Sequence, residues 1–151
     1  MGKVYTNDGV IIAQVMRDHL NMWVNKPCDF LIEDLGKNVP SLMIQQLASS
    51  EKKTQYVDGT YIGLWNFGIY MRVSGEDTAS RLDALSCLSE CSQWLMEKDE
   101  SGKPKNLPVI DSNRTPMKFE VTNSPSVAAR YNNGVEDYLV TMSLEYKVRR
   151  N

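Results

Sequence analysis

Between Asp8 and Val24 the apolar residues Ile12, Met16, Leu20 and Trp23 return at three- or four-residue spacing, with Arg17, Asp18 and Asn21 among them. That spacing is one face of an α-helix. It predicts a first helix capped by the Asp8 carboxylate and ending near Asn25, because Pro27 has no amide hydrogen with which to continue the ladder. Cys28–Leu35 and Ser41–Leu47 are short mixed segments around Gly36-Lys37-Asn38, which reads as two modest strands with a turn between them. Next, Thr54–Val57 and the long run Thr60–Val73 flank Asp58-Gly59. This is the signal of a tight hairpin whose two central residues both take positive φ. Along the long run, Tyr61, Trp65, Phe67, Ile69, Met71 and Val73 share one face of a strand, while Asn66, Tyr70 and Arg72 share the other.

After Ser74-Gly75-Glu76-Asp77 the period changes again. Leu82, Leu85, Leu88 and Leu95, with Ala84, Cys87, Cys91 and Trp94, predict a second helix that Ser74 with Asp77, or Asp77 alone, caps and that runs to about Glu97. Lys98 to Pro116 carries Gly102, Pro104, Pro108 and Pro116 among charged residues, and is expected to be a surface loop of unusual length. Two closing strands follow, Met117–Thr122 and Glu136–Arg149, joined by the Asn- and Ser-rich segment Asn123–Val135. In the last of them Tyr138, Val140, Met142, Leu144, Tyr146 and Val148 alternate with Asp137, Thr141, Ser143, Glu145, Lys147 and Arg149. An order without regular β-α alternation predicts an α+β fold, a mainly antiparallel sheet with the two main helices on one face.

Composition adjusts this picture little. At 151 residues and 42% hydrophobic the chain, residues 1–151, is expected to be a single domain with its own core. A net charge of -2 gives no positive field for sequence-specific nucleic-acid binding. Three cysteines, an odd number, and no charged-then-apolar leader point to a reducing cytoplasm, and no apolar run reaches the ~20 residues of a membrane span.

Candidate chemistry is sparse. His19, the one histidine, falls within the first helix and reads as a helix-surface or core-edge residue rather than a catalytic base. Cys87 and Cys91 share a helical face, but a structural zinc site needs four ligands, and they read as small buried residues. Asn113-Arg114-Thr115 fits a glycosylation acceptor that is idle without secretion. Lys147, Arg149 and Arg150 form a small basic cluster with Glu145 among it, read as a solvated strand end. The scattered tyrosines read as sheet residues with polar tips. No enzyme activity, cofactor or metal is expected.

Several ordered motifs together resemble a known family: Gln55-Tyr56-Val57-Asp58-Gly59, Trp94-Leu95-Met96-Glu97, Asn106-Leu107-Pro108, Asn113-Arg114-Thr115-Pro116, Glu120-Val121-Thr122 and the alternating last strand. They are similar to small proteins of phages and prophages of Gram-positive bacteria, called minor capsid proteins, which look like tail terminators and tail-to-head joining proteins. The resemblance covers residues 50 to 148. It implies a tail-terminator-like protomer in a homo-hexameric ring that caps the tail tube, meets the head connector, lets the genome pass and resides in the virion. A ring of that kind needs two different patches that meet. The loops Lys98–Pro116 and Asn123–Val135 and the last strand are expected to supply them, with Asp58, Gly59, Lys103, Arg114, Asn132, Asn133, Lys147 and Arg149 as interface candidates. The alternatives are a head-completion or minor capsid adaptor, and a small ligand-binding domain or enzyme with a pocket between the sheet and the second helix.

Overall fold

The computed structural model describes residues 8–36, 38–47 and 51–149. Helix α1 spans Asp8–Leu20 and α2 Thr78–Met96; the strands are β1 Phe30–Ile32, β2 Ser41–Gln46, β3 Glu51–Gln55, β4 Tyr61–Ser74, β5 Arg114–Arg130 and β6 Val135–Val148. They form one six-stranded sheet in the order β1-β2-β4-β6-β5, with β3 paired to the first half of β4 on the same side as β2. Every pairing is antiparallel except β1 with β2. The fold is α+β.

Alternation in β4 and β6 decides where the core lies. The two strands pair along their whole length, from Tyr61↔Val148 to Ser74↔Val135, so the odd-numbered apolar residues of one lie beside the even-numbered ones of the other. Leu42 and Ile44 of β2 and Phe119 of β5 extend the same apolar face. Both helices cover it: α1 contributes Ile12, Ala13, Met16 and Leu20, and α2 contributes Ala84, Leu88, Cys91 and Leu95. His19 of α1 stacks on Trp94 of α2 with ring centroids 5.1 Å apart, which makes the helices neighbours in one layer. The opposite face, with Asn66, Tyr70 and Arg72, carries no helix among the described residues and stays partly wetted.

Several boundaries differ from the sequence expectation, each for a local reason. Helix α1 stops at Leu20, not near Asn25, because Asn21 clamps the backbone of β1: its amide donates to Phe30 O at 3.3 Å and its Oδ1 accepts from Phe30 N–H at 2.6 Å. Trp23 therefore reaches the core from a turn. The first two strands pair in parallel rather than across a tight turn. Since β1 has only three residues, the chain must return just ~10 Å before β2 begins, a short crossover that a longer strand would forbid.

At Asp58-Gly59 only the glycine takes positive φ, 90°. The closing pair is Tyr56 N–H to Thr60 O at 2.7 Å, a three-residue loop with a left-handed glycine instead of a two-residue turn. Helix α2 begins as expected, with Asp77 Oδ1 accepting from Ser80 N–H at 2.7 Å, yet Leu82 lies on its outer, exposed side.

The largest correction concerns Asn123–Val135. Most of it is strand, since β5 runs to Arg130 through repeated register shifts, and the connection shrinks to the turn around Asn132, Asn133 and Gly134. β6 supplies a full ladder on one side, so β5 needs no apolar alternation of its own. Its outer side has no strand partner among the described residues, and Pro116 and Pro125 are tolerated there because an edge has no second ladder to break. Because β5 starts at Arg114, the preceding loop ends before Pro116.

Candidate assembly surfaces

Fourteen residues of β4 at ~3.4 Å each separate the two ends of the sheet by ~45 Å. The interface candidates sort onto those ends. Asp58, Gly59, Arg114, Lys147 and Arg149 gather at the Tyr61 end, because Tyr61 pairs with Val148 and Val148 with Arg114. Asn132 and Asn133 sit at the Ser74 end, in the turn where Asn133 Oδ1 accepts from Val135 N–H at 3.2 Å. Lys103 lies on the loop after α2, next to Pro104, which faces Lys118, Phe119 and Glu120 of β5.

Arg114 is an internal clasp. Its guanidinium reaches Asp8 Oδ1 at 2.6 Å and Asp111 Oδ2 at 2.6 Å, and the side chain is only 15% exposed. Asp8, 1% exposed, also accepts from the hydroxyls of Tyr61 at 2.5 Å and Tyr146 at 3.0 Å. The start of α1 is thereby tied to β4, β5 and β6 at one point. Burial pushes the Asp8 carboxyl up, but the hydrogen bonds from Tyr61, Arg114 and Tyr146 and the charge of Arg114 outweigh it and hold the group below the usual carboxylate range. The sequence suggests Asp8 only as a cap; the two tyrosines that meet it are far away in the chain.

Gly63 makes that meeting possible. A Cβ there would lie 2.3 Å from Cζ and 2.5 Å from the hydroxyl of Tyr146, so the ring crosses the space where a side chain would stand.

The loop holding Lys103 is ordered by its own side chains. Asp99 Oδ1 accepts from Ser101 N–H at 2.9 Å, Ser101 Oγ at 2.7 Å and Lys103 N–H at 3.0 Å, and Gly102 turns the chain at φ 84°. Asn106 fastens the loop to the helical layer: its side-chain amide donates to Trp94 O at 2.8 Å, and its backbone carbonyl accepts from His19 Nε2 at 2.8 Å. His19 is thus spent on holding the loop. Burial lowers its pKa from the ordinary value, only partly offset by the bond to Asn106.

At the Ser74 end two neighbouring buried carboxylates are matched on opposite faces. Asp137 takes both forks of Arg72 at 2.7 and 3.0 Å, and Tyr131 donates to it at 2.9 Å while its ring lies under the guanidinium. Glu136 accepts from Arg81 at 2.9 Å and Tyr138 at 2.9 Å, with Arg130 at 3.0 Å. Here too a groove of about 580 Å³ opens between α2 and the turns flanking β1 and β2, with Met71 and Val73 at its floor.

Exposed apolar residues also favour the two ends. Tyr56 and Val57 project from the β3–β4 turn at the Tyr61 end, where Val10 lies in the first turn of α1 and Val109 comes two residues before Asp111; Val39 lines the groove at the other. Burial drives the Cys87 thiol up to about 11 and Cys91 further still, so neither is a thiolate near neutral pH. Among the described residues no three His, Cys, Asp or Glu side chains are grouped to hold a metal ion, and no helix is long and apolar enough to cross a membrane. The chain matches no protein-family model and no curated protein.

Proposed function

We infer that this is a structural assembly protein without enzyme activity, a tail terminator of the phage type that closes into a ring on the tail tube and joins it to the head connector in the virion. The carrying observation is a pair of unlike exposed patches at the two ends of one sheet, which extends ~45 Å along β4 and β6. The β3–β4 turn presents Tyr56 and Val57 at one end and the Val39 groove opens at the other, both on one protomer. Unlike patches suit a heterologous contact of the kind that builds rings. The ordered motifs between residues 50 and 148 add the phage-tail resemblance to this reading.

Electron microscopy of tails assembled without the protein tests it: over-length or headless tails are expected, and normal joined tails would refute it. Size-exclusion chromatography with light scattering, on the protein alone and with tail tubes, separates the ring from a monomeric head-completion adaptor. The groove favours a second reading, a small ligand-binding domain, since its volume falls within the ~300–1,000 Å³ of clefts that engulf small molecules. That reading expects a compound raising the melting temperature with no change of oligomeric state.

A further inference from the structure

The apolar tip at the Tyr61 end and the groove at the Ser74 end match in shape and in charge. The tip is built to project. Val57 is fully exposed and Tyr56 about half, while Gly59 N–H donates to Tyr56 O at 3.0 Å and Asp58 Oδ1 accepts from Thr60 N–H at 2.9 Å. A turn already locked in this way loses little freedom when it docks. Beside it stand two cations: Lys147, close enough for its charge to help keep the Asp58 carboxyl low after the dominant Thr60 bonds, and the exposed Arg149.

The groove is complementary on each count. Its floor is apolar, Met71 and Val73, and Pro27, Val39 and Pro40 form one wall. The other wall is the α2 face bearing Asp83, Cys87 and Glu90, spaced four and three apart so that they stand in one row. Asp83 and Glu90 are the charged residues among those described that line it, and neither has an ion-pair partner among the described residues. Its volume of about 580 Å³ leaves room for a valine and a tyrosine side chain together.

We propose that the Tyr56–Val57 tip of one protomer seats in this groove of a second copy, with Lys147 and Arg149 facing Asp83 and Glu90. The two patches lie at opposite ends of the same sheet, so each copy offers a free tip and a free groove after every addition. Such a contact propagates head to tail until the rotation between copies closes it. The proposal rests on the ring-forming reading above and gives that ring its contact. Apolar burial of Val57 supplies the attraction; the flanking charges fix the register and speed encounter, and added salt screens them.

The test places p-benzoylphenylalanine at position 57, irradiates the full-length protein alone and on tail tubes, and maps the cross-linked peptides. Cross-links between copies that fall in 39–40, 71–74 or 80–90 are expected. Alongside, Val57→Asp should weaken association more than tenfold whereas Val57→Leu leaves it intact. Arg149→Glu, or Asp83→Lys with Glu90→Lys, should each weaken it about threefold to tenfold, and mixing the two charge-reversed proteins should restore it. All these positions are exposed or on the groove rim, and unchanged melting curves confirm that the variants fold. Copies that associate but cross-link elsewhere, or that ignore every substitution, would overturn the tip-in-groove contact and leave the ring standing. A chain that stays monomeric in solution and on tubes would overturn both, and cross-links from position 57 only to another protein would overturn the contact between copies and assign the tip to that partner.

Discussion

Replacing Gly63 by alanine adds one methyl group to a buried position of β4, and it should rank among the most damaging single changes in this protein. The new Cβ would fall 2.3 Å from Cζ of Tyr146, a contact that no relaxation of the methyl itself can relieve. The ring has nowhere to go, because Tyr146 is fully buried. Forcing it aside is overpacking, at ~1–3 kcal/mol. Moving it also lifts the hydroxyl off the Asp8 carboxylate, a bond to a charged group worth ~1.5–3 kcal/mol. Alanine's better fit to a strand returns ~0.5–1 kcal/mol, so a net loss of about 3 kcal/mol is expected, a fall of ~6–12 °C in melting temperature for a domain of this size. Thermal and urea unfolding followed by circular dichroism measure it. The sharper readout is the sign in a second background: with Tyr146→Leu, whose side chain is too short to lie across position 63, Gly63→Ala should become neutral or slightly stabilising. A loss below about 2 °C in the natural background, or the same loss in both, would refute the account of the clasp.

Four further outcomes follow from the same geometry. Gly9→Ala would put a Cβ 2.0 Å from Gln46 Oε1, the acceptor of the Trp65 indole N–H, and should cost ~1–3 kcal/mol despite alanine's helix propensity, with a shift in tryptophan fluorescence. Because the folded-state pKa of His19 is depressed, the unfolded chain binds the extra proton first; stability should fall as pH drops below about 6.5, and His19→Gln should flatten that part of the profile. Asp8, with its folded pKa below the ordinary 3.8, contributes stability above that value and loses it as pH falls further, so Asp8→Asn should lower the melting temperature at pH 7 and narrow the difference from the natural protein below pH 3.8. With a thiol reagent at pH 8, Cys28 should label first and Cys91 only as fast as the whole protein unfolds; early labelling of Cys91 would contradict its place in the core.

The strong alternations were legible in the sequence because burial acts on them directly. β6 and β4 are apolar at every second residue since one face meets two helices, and α2 announces itself through Asp77 and the Ala84-Leu88-Cys91-Leu95 stripe. What escaped were features set by a partner distant in the chain. β5 through Asn123 and Ser126 is a strand because β6 offers a ladder, not because its own residues favour one. The end of α1 at Leu20 depends on Asn21 reaching Phe30. At the candidate surfaces, Asp58 and Gly59 were visible as a turn, but the groove facing the other way is assembled from α2, β4 and two turns and leaves no local pattern. Arg114 drew notice as a basic residue in a motif, while its use against Asp8 required the fold.

Bringing Asp8 under Tyr146 spans 138 residues of chain. During synthesis the helix that carries this carboxylate emerges long before one of the two hydroxyls that solvate it. Until residue 146 clears the ribosome, the carboxylate must remain in water and the helix that bears it has only part of its seat. Contacts of such separation place the closure entropy early in folding and delay the reward. The nascent protein is therefore held back from its finished shape until β6 is available, so a chain ended before β6 would lack a seated first helix and be open to degradation.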